Sequence, residues 1–321
     1  MRVLVTGGFG YLGGRVCLAL AEAGEDVIVG ARRPSADRLH DGDALSIFDV
    51  TSVTETELAL EAARPDAIVH LAAVNEIESL RDPRLAYKVN CEGTYNLLTA
   101  AVRAKVDRLL YVSTFHVYGK AEGDISEATP TSPSHPYATT HRAAEDIARY
   151  FARYHGIATA SLRLSNAYGA PVHPRIDRWT LVFNDLCRQA VVSGEIVLAT
   201  AGGQHRDFIS LHDVGRAIVH ALRSDAVMHD GEVFNLGGRT SLSIREVAAI
   251  VARVAENELG APIPVRGPEG RVTGARVNYD IAKFEATGFR LSGSMEEEIV
   301  ATLALCRRAV EEGSWMPAAR E

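Results

Sequence analysis

Cysteine is scarce in this chain: four in 321 residues, at Cys17, Cys91, Cys187 and Cys306, with no spacing that ligates a metal. Cys17, Cys91 and Cys306 fall on apolar faces of predicted helices, which reads as buried free thiols rather than a disulfide framework. The eleven histidines contain neither an HxxxH nor an HExxH pair, so no metal site is expected. A basic tract is missing too. The formal net charge is -7, from 34 Lys and Arg against 41 Asp and Glu, which excludes nucleic acid as an expected partner. No apolar run approaches the roughly 18 residues that a membrane-spanning helix needs, so no membrane partner is expected. An apolar run opens at Val3, leaving no room for a signal peptide, and a cytoplasmic location is expected. Internal repeats and low-complexity tracts are also absent. At 321 residues the chain is long for one core and short for three domains, so two lobes are expected.

What is present begins at once. The run Val3, Leu4, Val5 stops at three glycines spaced three apart, Gly7, Gly10 and Gly13, and an amphipathic stretch from Arg15 to Ala23 follows. Apolar strand, glycine turn and helix are the context in which such spacing means dinucleotide binding. Gly7 permits the tight turn, Gly10 lets a pyrophosphate approach the backbone, and Gly13 lets helix and strand pack closely. Tyr11 and Leu12 complete the turn and join the expected cofactor site.

Downstream, strands alternate with helices. Strands are predicted at Asp26–Val29, Ala44–Phe48, Asp66–Ala73, Arg108–Ser113 and Ala158–Leu164, with helices at Glu55–Ala63, Pro83–Ala104 and 136–154 between them. That alternation makes a parallel, doubly wound sheet. Beyond it the pattern is mixed: helices at 176–192, 214–222, 244–258 and 295–312, and strands at 209–211 and 232–236. The expected architecture is α/β, a Rossmann-type sheet over residues 1–165. A smaller C-terminal α/β substrate lobe over 166–321 sends segments back into the sheet.

Three further positions bear on the cofactor. The second strand ends Gly30-Ala31-Arg32-Arg33, with no carboxylate for ribose hydroxyls and two cations suited to a 2′-phosphate, so NADP is expected over NAD. Asp49 and Val50 would face the adenine. Leu71, Ala72 and Ala73 are small or apolar enough for close passage beside the cofactor, and Asn90 lies on the helix that follows.

The chain resembles the extended short-chain dehydrogenase/reductase family, in its branch of nucleotide-sugar epimerases, dehydratases and ketoreductases. The resemblance rests on the glycine turn, Ser113-Thr-Phe-His-Val-Tyr-Gly119 and the helix opening Pro136-Tyr-Ala-Thr-Thr-His141. Further on it rests on Arg163-Leu-Ser-Asn-Ala-Tyr-Gly169, Arg206-Asp-Phe-Ile-Ser-Leu-His-Asp-Val214 and Phe234-Asn-Leu-Gly-Gly238. It implies hydride transfer between a nicotinamide and a sugar carbon, with Tyr137 as acid/base and Thr114 polarising the substrate oxygen. It also implies that Asn166 and Arg206, with Arg271 as a looser candidate, hold the nucleotide diphosphate. A homodimer through helices near 84–104 and 137–154 is implied as well, its surface drawn from Leu85, Val89, Tyr95, Leu98, Ile147, Tyr150 and Tyr154.

One departure stands out. Where the family carries a lysine four residues after the tyrosine, this chain has His141. Three readings stay open: His141 replaces the lysine, protonated or as a neutral donor; another group is the base; or the pocket binds without catalysing. The family's dehydratases carry an Asp-Glu pair after the threonine. Here Phe115-His116 stands instead, so that chemistry is not expected, and His116 is a candidate proton shuttle. The alternatives to a nucleotide-sugar enzyme are a non-catalytic cofactor-binding protein and a reductase of a non-nucleotide carbonyl compound.

Overall fold

A computed structural model describes residues 1–34, 44–119, 122–268 and 274–313. Seven strands form one sheet in the order Glu232–Leu236, Ala158–Leu164, Arg108–Thr114, Ala67–His70, Arg2–Thr6, Asp26–Ala31, Ala44–Ile47. Every pairing in it is parallel. Parallel strands covered on both faces need apolar side chains on both, which is why the sequence reads as continuous runs. Val3 and Val5 enter a core with Val16, Cys17 and Leu20 of the helix Tyr11–Glu22 and with Val214, Ile218 and Leu222 of Leu211–Arg223. Leu4 and Ile28 point the other way, against Leu60, Leu97, Leu98 and Phe151. The expected doubly wound sheet is present.

The last strand of the sheet, Glu232–Leu236, comes from the C-terminal half of the chain. Around it, short strands close a second layer: Asn166–Tyr168, His205–Ser210 and Ser241–Ser243 form a three-stranded sheet. Val277–Tyr279 pairs with Gly123–Ile125. A second core lies under the helices Val182–Ser193, Ile244–Leu259 and Met295–Glu311.

Several sequence boundaries move. The expected helix over 83–104 is broken by a wide turn, Tyr87–Glu92, in which the buried Asn90 sits. The helix expected from 176 starts at Val182, because the preceding segment is a loop in which the Trp179 indole donates to the Pro174 carbonyl at 2.9 Å. The strand expected at 209–211 lies at His205–Ser210, and Leu211 already begins a helix capped by Ser210.

Candidate functional site

The glycine turn floors a cavity of about 1440 Å³. Gly7 sits at φ +69°, in the region that favours glycine, and a Cβ there would lie 3.0 Å from the Ala72 nitrogen. At Gly13 a Cβ would stand 2.1 Å from the Gly7 carbonyl oxygen, so no side chain fits between helix and turn. Gly10 heads the helix Tyr11–Glu22 with no side-chain cap and is exposed to the cavity. An uncapped helix N-terminus behind a bare backbone turn is a seat for a phosphate group. The residues present therefore fit a dinucleotide.

Leu12, Arg32, Asp49, Val50, Leu71, Ala72 and Ala73 line the same cavity. Although partial burial alone would raise it, the Asp49 carboxyl is held low by hydrogen bonds from Thr51 and by the Arg32 charge. Tyr11 lines the cavity too, but its hydroxyl points away and donates to the Gly169 carbonyl at 2.9 Å, bracing the turn against the second layer. Arg33 is exposed and does not line the cavity. Asn90 does not line it either. Its Oδ1 accepts from the Val74 N–H at 2.8 Å and its Nδ2 donates to Thr140 Oγ1 at 2.9 Å, tying the cavity loop to the Tyr137 helix.

At the far end of this floor, Thr114 closes the strand Arg108–Thr114 and Tyr137 opens the helix Pro136–His155. Both side chains line the cavity. Burial raises the Tyr137 hydroxyl above its ordinary value, an effect partly offset by the neighbouring Thr114 hydroxyl and the Arg178 charge. One turn further, His141 is buried, its ring centre 4.4 Å from that of Tyr137. The Tyr111 hydroxyl meets its Nδ1 at 2.6 Å, and its Nε2 is buried without a hydrogen-bond partner among the described residues. Donation from Tyr111 to Nδ1 satisfies both groups and leaves Nε2–H as an unused donor. Burial, with His70 and His116 nearby, pushes this imidazole down to about 3. That direction favours an uncharged imidazole near neutral pH, and so a neutral donor over a protonated stand-in for lysine.

A pH dependence of stability follows. His70 is likewise buried and pushed down to about 4, with Thr6 Oγ1 2.7 Å from its Nδ1 and Thr94 Oγ1 3.0 Å from its Nε2. Both folded values lie below the ordinary 6.5, so the unfolded chain binds more protons below that pH. Stability is therefore fully present above about pH 6.5 and is lost as pH falls, by about 1.4 kcal/mol per pH unit for each histidine. Denaturant titrations from pH 7 to pH 4 should show this slope, and His141→Gln should remove one histidine's share. A flat profile would contradict the burial argument.

Asn166 and Arg206 line the cavity as well. Asn166 Nδ2 donates to the Asp207 carbonyl at 2.9 Å. Arg206 donates to Gln204 Oε1 at 2.9 Å and forms no ion pair among the described residues. Asp207 is occupied by the Gly238 and Thr240 amides and Asp213 lies near Arg216, so neither neutralises Arg206. Arg271 lies outside the described residues. Sequence reasoning missed Glu76, which lines the cavity beside His116, and His135, whose ring stacks on Tyr137 at 6.2 Å. Arg178 also lines the cavity and acts on Tyr137.

A family model described as the NAD dependent epimerase/dehydratase family matches residues 3–237. The chain belongs to this family. It is a nicotinamide-dependent enzyme of the extended short-chain dehydrogenase/reductase type, on the nucleotide-sugar branch. It is 30% identical to a UDP-glucose 4-epimerase of Halalkalibacterium halodurans over 286 residues, 82% of each chain. It is 33% identical to a dTDP-glucose 4,6-dehydratase of Mycolicibacterium smegmatis over 279 residues, 79% of this chain and 78% of that one. Among solved structures it is similar to the UDP-glucose 4-epimerase of Thermus thermophilus in complex with NAD. The TM-score is 0.80 at 27% identity, covering 96% of this chain and 100% of that one. Among the described residues no helix is long and apolar enough to cross a membrane.

Proposed function

We propose that this epimerase/dehydratase family member passes a hydride to and from one carbinol carbon of a nucleotide-linked sugar, with Tyr137 exchanging the hydroxyl proton. The observation that carries the reading is that Thr114 and Tyr137, from a strand end and the helix start that follows it, face the same cavity floored by the glycine turn. The bound nicotinamide would supply the hydride acceptor and donor. Gly7, Gly10 and Gly13 would hold its pyrophosphate, and the unused Nε2–H of His141 would serve its ribose or the Tyr137 oxygen. As the sugar hydroxyl is oxidised, its proton passes to Tyr137 Oη while Thr114 donates to the same substrate oxygen. The Arg178 charge and the His141 donor favour the tyrosinate that this step requires. Arg206, which forms no ion pair among the described residues, would take the nucleotide diphosphate, and Asn166 would stand beside it.

Epimerisation or ketoreduction is preferred to dehydration, because Phe115 and His116 occupy the positions of the Asp-Glu pair. UDP-glucose 4-epimerases among the relatives support the epimerase form. A panel of UDP- and dTDP-linked sugars, assayed by chromatography for a changed sugar, tests the proposal. Cofactor binding without turnover on any of them would favour the binding-only alternative. Arg206→Ala with unchanged KM would favour a non-nucleotide substrate.

For the cofactor we propose NADP over NAD, through Arg32 alone, since Arg33 lies outside the cavity wall. Charge-assisted bonds are worth about 1.5–3 kcal/mol, roughly a tenfold to hundredfold preference. Fluorescence titrations should show that preference, its loss in Arg32→Ala and little change in Arg33→Ala. The complexes of similar chains carry NAD, and equal affinities here, or tighter NAD, would reject the assignment.

We also propose a homodimer. Tyr95, Tyr150 and Tyr154 are exposed by 48%, 43% and 76% on adjoining helices, with Tyr87 beside them at 49%. Leu98, expected on this face, is fully buried in the chain's own core. Light scattering at low micromolar concentration should report twice the chain mass, and a monomer would count against pairing.

A further inference from the structure

We propose that Glu76, His116 and His135 bind one divalent transition-metal ion of the zinc class at the sugar end of the cavity. The three side chains come from three separate elements. Glu76 opens the short helix after the strand Ala67–His70, His116 lies in the turn after Thr114, and His135 caps the Pro136–His155 helix. Each offers one ligand atom, and the three atoms lie within 4.8 Å of one another. His116 Nε2 stands 3.9 Å from one Glu76 oxygen and His135 Nε2 stands 3.8 Å from the other. These separations exceed hydrogen bonds, so the three groups converge without bonding one another. Ligands about 2.1 Å from a zinc-class ion stand roughly 3.4 Å apart in a tetrahedron. Small side-chain rotations, within reach of the half-exposed Glu76, would therefore close the site.

The donor set decides the class of ion. Two imidazoles and one carboxylate suit zinc, cobalt or nickel and fit calcium or magnesium poorly. His135 gives up one weak contact: its Nδ1 accepts the Ala138 N–H at 3.4 Å, and ligation through Nε2 returns a proton to Nδ1. Arg206 carries its charge toward both Glu76 and His116 and opposes a cation, so the site is weaker than a closed structural zinc site. Glu76 and His116 line the cavity, and three protein ligands leave a further coordination position for water or a substrate oxygen. Such an ion would stand beside Tyr137, whose ring is 5.9 Å from that of His116.

The test uses the full chain, stripped with a chelator and titrated with cobalt(II), whose visible absorption reports coordination. One cobalt per chain, displaced by zinc, is the expected result. Glu76→Gln, His116→Gln and His135→Asn should each weaken binding at least tenfold. Asparagine at 135 keeps a helix cap, so loss of binding there reads on the imidazole rather than on folding, and thermal melts of all three variants check the fold. The exposed His155, changed to Asn, should leave binding intact. No saturable binding, or binding that all three variants retain, would overturn the proposal. The readout needs no turnover, so it stands or falls separately from the proposed reaction.

Discussion

Tyr137→Phe is expected to lower turnover by a factor on the order of 10²–10⁴, the share that a positioned acid/base group supplies. The ring remains, so its packing against His141 and His135 is kept, and cofactor affinity should change little. Only the proton acceptor is lost. The pH profile adds a second reading. Burial holds the Tyr137 hydroxyl above its ordinary value, while His141 is already neutral over the working range. Oxidation should thus improve steadily with rising pH and show no limb from an imidazole losing its proton. His141→Lys would place a permanent cation one turn from Tyr137 and move the rise to lower pH. If Tyr137→Phe keeps most of its activity while His116→Ala loses it, a histidine carries the proton instead.

A large loss of stability is expected from Glu145→Ala. Glu145 is fully buried two turns beyond Tyr137 on the same helix. Its Oε1 accepts from Ser113 at 2.6 Å and from Arg163 Nε at 2.9 Å, and its Oε2 accepts from Arg163 Nη2 at 2.8 Å. Arg163 in turn donates to the Tyr118 hydroxyl, which donates to Asn235. This network clamps the Tyr137 helix to the strand that carries Thr114. Removing the carboxylate strands a buried guanidinium, at a cost of about 3–5 kcal/mol. Replacing both partners, as Glu145→Leu with Arg163→Met, should recover much of that loss, because no lone charge remains. Denaturant unfolding measures both. A single variant as stable as the parent would show that Arg163 finds water or another partner.

The main sheet was legible because fully covered parallel strands leave continuous apolar runs, and the glycine turn because no other residue fits at Gly13. Thr114, Tyr137, Asn166 and Arg206 were legible through motifs. The short strands at Asn166–Tyr168, Gly123–Ile125 and Val277–Tyr279 were not, since three residues carry no period and exist only through their partners. Asn90 was found but its role was not: an amide on a helix looks like a contact until the wide turn shows it bracing Val74 against Thr140. The charge of His141 was hidden because burial is a property of the neighbours, not of the motif. The grouping of His116 with Glu76 and His135 was hidden for a similar reason. Their positions in the chain form no ligand spacing, and only the connections that follow two neighbouring strands bring them together.

The central claim is a hydride exchanged with a sugar carbon under the control of Tyr137. The most direct measurement uses a nucleotide sugar carrying deuterium at the carbinol carbon, mixed with the cofactor-loaded enzyme and quenched for mass spectrometry of the cofactor. Deuterium should appear on the nicotinamide with the wild-type chain and be nearly absent with Tyr137→Phe. Failure of any nucleotide sugar to transfer label, while cofactor and sugar both bind, would contradict the account.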